Sequence, residues 1–156
     1  MPHRTPCTSR AWARFGALNA LVGLLVGLHL TLTSTGAGYW MFMLAAPVSA
    51  FLVGGGAWRW IVGARRTSVL RALCTGLVAG TVSHYFTWLL LSIALNITYG
   101  TLGVGGGSLG DPPAGVLEMI PGAFLYSFFS LLFYGPVTVL AAMAAALLVR
   151  WQAHNV

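Results

Sequence analysis

Residues 120–149 read IPGAFLYSFFSLLFYGPVTVLAAMAAALLV, an unbroken run with no charged side chain. A helix crossing a ~30 Å hydrocarbon core needs about 20 apolar residues. At 1.5 Å per residue this run makes about 45 Å of helix, so it spans with length to spare. Working outward, residues 15–35, 39–62 and 70–98 have the same apolar character. Together the four stretches take up most of the 156 residues. The chain therefore reads as an all-α integral membrane protein, a polytopic four-helix bundle forming a single membrane domain over residues 1–156.

Composition agrees with this reading. Hydrophobic residues make up 58% of the chain and charged residues 6%, whereas soluble domains carry about 25% charged residues. A water-facing surface cannot be built from that supply, which excludes a soluble enzyme and a disordered chain. A nucleic-acid footprint needs a basic face on a soluble fold, so the net charge of +6 is not read that way and no nucleic-acid partner is expected.

All eight basic residues are arginine, and they fall on one side. Arg4, Arg10 and Arg14 precede or open the first stretch, Arg59, Arg65, Arg66 and Arg71 surround the second connection, and Arg150 follows the fourth stretch. The remaining connections hold no arginine, and the one over residues 99–119 contains both acids, Asp111 and Glu118. Under the positive-inside rule both termini and the middle connection lie in the cytoplasm. Arg14, Arg65, Arg66, Arg71 and Arg150 are the expected topology anchors, and the expected location is the inner (plasma) membrane. Trp12, Trp58, Trp60 and Trp151 sit beside the arginines while Tyr39, Trp40 and Tyr99 sit at the other ends. Those are the two aromatic belts of a spanning bundle. Cys7 and Cys74 both fall on the arginine side, a reducing compartment, so no disulfide is expected.

Small residues recur at helical spacing in every stretch. Gly23 and Gly27 lie four apart in the first, and Gly76 and Gly80 four apart in the third, leading on to His84. In the fourth, Ser127, Ser130, Tyr134 and Thr138 follow steps of three and four. Lipid offers no hydrophobic drive to bring helices together, so close approach at small residues and interhelical hydrogen bonds supply the attraction. Gly23, Gly27, Gly76, Gly80, Ser127 and Ser130 are accordingly the expected packing residues. Pro47 and Pro136 remove backbone hydrogen bonds inside the second and fourth stretches.

The connection over 99–119 reads as a glycine-rich external loop, with Gly105-Gly106-Gly107 followed by Asp111-Pro112-Pro113. Aspartate before proline is a helix-start signal, so a short interfacial helix is expected over about 112–119. The glycines have no following Gly-Lys-Ser/Thr and do not form a phosphate loop.

Ionisable groups inside a membrane are candidate functional groups. Within the stretches these are His29 and His84, with Tyr134 on the polar stripe of the fourth; together they form the candidate intramembrane polar site. A shared haem is disfavoured because His29 lies about 200° around its helix from the Gly23/Gly27 stripe, at 100° per residue. No cluster has metal-ligand spacing, no nucleophile is paired with a base, and there is neither a closely spaced cysteine pair nor a pair of aspartates. No catalytic residue, metal or cofactor is expected. The sequence favours a non-catalytic subunit or accessory protein of a membrane assembly. Its partners would be the lipid bilayer and another membrane protein or further copies of itself. The alternative is a small oligomeric transporter or channel, with His84 and the polar face of the fourth stretch lining the path.

Overall fold

A computed structural model describes residues 10–34, 39–63, 68–103 and 113–154. The described residues form helices and no strands. Helix α1 runs over Ala11–Thr33. A 3-10 turn, Tyr39–Met41, leads into α2, Phe42–Ala57. A π-helical turn over Trp58–Val62 extends α2 as far as Gly63, which ends it at φ +56°. Helix α3 covers Val69–Leu102 and α4 covers Val116–His154. All four are long and apolar enough to cross a membrane.

The boundaries differ from the sequence expectation mainly around the glycine-rich connection. Residues 99–102 are the last turn of α3, closed by Gly103 in the left-handed conformation at φ +67°. Residues 116–119 are the first turn of α4 rather than a separate interfacial helix. Capping chemistry explains the shift, because the Gly115 N–H donates to the Glu118 carboxylate at 3.2 Å, the backward half of a capping box. The Asn96 amide adds a tie by donating to the Ser92 carbonyl (2.9 Å) and to the Ala114 carbonyl (3.2 Å) just ahead of α4. The expected cap at Asp111-Pro112 lies outside the described residues. Helix α1 likewise starts at Ala11, which puts Arg14 inside its first turns. At 39 residues α4 is about 58 Å long, well beyond one hydrocarbon thickness. It stays helical through Pro121 and Pro136.

The helices form a closed ring. Helix α1 packs on α2 and α4, and α3 packs on α2 and α4, while the diagonal pairs scarcely meet. Neighbours are antiparallel, because one buried cluster joins Phe15 from the start of α1, Trp58 and Val62 from the end of α2, Ala72 from the start of α3, and Ala146 and Val149 from the end of α4. The described arginines, Arg10, Arg14, Arg59, Arg71 and Arg150, therefore share one end of the bundle. Arg59 stacks its guanidinium over Trp12, 5.5 Å from the ring centre. Met41, Phe42, Ala45 and Leu91 form the cluster toward the opposite end.

The ring is assembled from two close-packed hairpins. A Cβ added at Gly23 would stand 2.7 Å from the Ala46 carbonyl oxygen, and one at Gly27 2.6 Å from that of Phe42. The α1 backbone thus rests directly on the α2 backbone, with glycine Cα–H groups aimed at carbonyl oxygens. In the second hairpin a Cβ at Gly76 would stand 2.5 Å from Met143 Cα, and one at Gly80 2.7 Å from Val139 Cα. The outer surface is apolar, with Phe133 73% and Leu140 66% exposed. Apolar surface on this scale marks a lipid- or protein-facing exterior.

Candidate functional site

The interior of the ring is polar at one level. His84 projects from α3 and is buried. Its Nδ1 lies 2.7 Å from Ser130 Oγ and its Nε2 2.8 Å from Thr138 Oγ1, both on α4. Helical spacing makes this clasp possible, since Ser130 and Thr138 are two turns apart on one face, above and below the ring. The ring's proton is assigned from the hydroxyl network. Thr138 donates to the Tyr134 carbonyl at 3.0 Å, and a hydroxyl has only one proton to give. Thr138 therefore accepts from Nε2–H, which leaves Nδ1 to accept from Ser130.

The neighbouring α3 backbone carries a second tie. Ser49 on α2, almost fully buried, donates to the Ser83 carbonyl at 2.7 Å, and Thr87 donates to the same oxygen at 2.8 Å. One level of α3 is thus hydrogen-bonded to both of its neighbours. On α1, buried Asn19 donates to the Phe15 carbonyl at 2.8 Å. No fully buried side-chain nitrogen or oxygen among the described residues lacks a partner.

These groups enclose a small cavity of about 50 Å³, lined by Asn19, Ser83, His84, Thr87, Ser130 and Thr138 together with apolar residues from α1 and α2. One ordered water needs roughly 10–15 Å³ measured this way, so the space has room for about three to five. Its lining is mostly apolar, with the polar groups gathered on α3 and α4 and at Asn19.

The other sequence candidates fall as follows. Gly80 lines the cavity and Gly23 borders it from α1. Gly27 and Gly76 serve the two hairpin contacts described above. Ser127 is buried but spends its hydroxyl on its own helix, donating to the Phe124 carbonyl at 3.0 Å. Tyr134 lies one turn from both Ser130 and Thr138, and its ring meets exposed His29 edge-on at 6.2 Å across the α1–α4 seam. His29 is thus placed against α4 and outside the cavity lining, not beside His84. Arg65 and Arg66 lie outside the described residues. Arg71 sits in the first turn of α3 and Cys74 is free and exposed.

Asn19 is the residue that a search for ionisable groups passes over. Its signal was an amide inside an apolar run, which demands a hydrogen-bonding partner as surely as a charge does. No family model, curated protein or solved structure matches this chain. Fold and site together define a small all-helical protein with four helices of membrane-spanning length and composition around a polar centre.

Proposed function

We propose that this chain is a multi-pass protein of the inner (plasma) membrane, with its arginine end in the cytoplasm, that acts as a non-catalytic subunit of a membrane assembly through helix packing. The observation that carries this reading is the His84 clasp. Both ring nitrogens of the buried histidine are engaged by Ser130 and Thr138, so the interior polar chemistry holds helices together. The broad apolar exterior of α4, from Phe124 to Leu140, supports the same reading by offering a face for lipid or a partner helix.

Three measurements test it. The protein should stay with membranes through an alkaline wash. Cysteines placed at Gly100 and at Trp151 should react with a membrane-impermeant reagent from opposite sides. Extraction in mild detergent followed by mass measurement should yield a complex larger than one chain, lost when exposed Phe133 and Leu140 of α4 are both changed to serine and retained on His84→Leu. Labelling of Gly100→Cys and Trp151→Cys from the same side refutes the topology. A complex mass equal to a single chain refutes the subunit role.

The cavity favours a second reading, a small transporter or channel in which hydrated side chains around His84 form part of a path. Solute flux in proteoliposomes that His84→Leu abolishes would establish that reading in place of the first.

A further inference from the structure

Between α2 and α3, on the outside of the ring, lies an open apolar groove of about 560 Å³. Leu52, Val53 and Gly56 of α2 face Val78, Val82 and Phe86 of α3 across it. No heavy atom stands within 4 Å of the place a Gly56 Cβ would occupy, so this glycine leaves the groove open rather than admitting a neighbouring helix. The groove extends on α3 from Val78 to Leu90, about 18 Å at 1.5 Å per residue.

Ser49 on its lining has its hydroxyl spent on the Ser83 carbonyl. One end of the groove lies toward the arginine-bearing end of the bundle beside Trp60, which is 86% exposed. Arg71 lies seven residues before Val78 on α3, which returns it to the same helix face about 10 Å beyond the groove. Among the described residues no acid stands near it, because Glu118 lies in the first turn of α4, beyond the other end of α3. A basic residue at the mouth of an apolar groove between spanning helices has the form of an anionic headgroup site.

We propose that this groove binds one anionic phospholipid from the arginine-side leaflet. One acyl chain lies along Val53, Gly56, Val82 and Phe86, and the phosphate meets the Arg71 guanidinium beside the Trp60 indole. The inference rests on the membrane reading above. Charge selects the headgroup, and Gly56 keeps the channel clear.

The test is native mass spectrometry of the full chain, delipidated in mild detergent and then titrated with phosphatidylglycerol or phosphatidylcholine. Wild type should take up one phosphatidylglycerol and bind it about tenfold more tightly than phosphatidylcholine, as loss of a charge-assisted contact implies. Arg71→Gln should remove that preference, and Gly56→Leu should abolish uptake of both lipids while the far-UV spectrum and melting temperature stay as in wild type. Equal binding of the two lipids by wild type, unchanged phosphatidylglycerol uptake by Gly56→Leu, or a second copy of the chain cross-linking through Val82→Cys in place of lipid would each overturn the proposal. Failure of the alkaline-wash assay would instead overturn the membrane reading itself.

Discussion

The substitution Gly76→Ala isolates the contact that closes the second hairpin. The added methyl would stand 2.5 Å from Met143 Cα, 2.7 Å from its nitrogen and 2.8 Å from the Ala142 oxygen. Carbon atoms settle at about 3.5–4.0 Å, so α3 and α4 must part by about 1 Å at this level. The three nearest neighbours are all backbone atoms, and no flexible side chain can swing aside. Overpacking of this kind costs about 1–3 kcal/mol. Glycine to alanine in an open helix position instead stabilises by about 0.5–1 kcal/mol. Gly56→Ala supplies that reference, since its surroundings are empty. Both variants gain that helix preference, so it cancels and they should differ by the overpacking alone, about 1–3 kcal/mol, with Gly76→Ala the less stable. Reversible unfolding in mixed micelles titrated with sodium dodecyl sulfate, followed by far-UV circular dichroism, reads the difference directly. Equal stability of the two variants, or a gain at Gly76→Ala, would refute the claim that backbone contact at this glycine sets the spacing of α3 and α4.

Gly27→Ala in the first hairpin, where the methyl would meet the Phe42 carbonyl oxygen at 2.6 Å, should cost about 1–3 kcal/mol in the same assay. Nitrogen-15 spectra should find the His84 proton on Nε2, with the Nδ1 resonance moving on Ser130→Ala, the change that removes its donor. His84→Leu should cost about 1–3 kcal/mol, from two interhelical hydrogen bonds each worth roughly 0.6–1.7 kcal/mol within a membrane. Gly103→Val should lower stability by about 1–2 kcal/mol, because φ is +67° there and a side chain in left-handed backbone is strained.

Much of the helical layout is legible in the sequence, and the places where it is not have physical causes. Apolar runs announce four helices, with Arg59 and Arg71 near the ends of the second and third, and the second membrane-length helical stretch covers Tyr39 to Val62. The ends of α3 and α4 are less visible because hydropathy reports where apolar residues stop, while a helix stops where its backbone groups find other partners. Glu118 and Gly103 decide those ends through one carboxylate bond and one left-handed residue. The candidate polar site is partly legible. His84 stands out as an ionisable group, and Ser130 as part of a stripe. Their pairing depends on the rotation of α3 against α4, which Gly76 and Gly80 set through contacts 67 and 59 residues away in the chain, at Met143 and Val139. His29 illustrates the converse. Its angular distance from the Gly23/Gly27 stripe is correct geometry and it stays exposed, yet Tyr134 of α4 meets its ring edge-on, and periodicity on one helix carries no information about which neighbour sits beside it.

The two-hairpin construction also bears on biogenesis. Each glycine-lined contact lies within a hairpin, so the amino-terminal pair owns every group needed to zip itself shut before the second pair leaves the ribosome. Two fragments severed between α2 and α3 and synthesised from separate messages should then recognise one another and reconstitute the ring, as modules meeting in the plane of the bilayer.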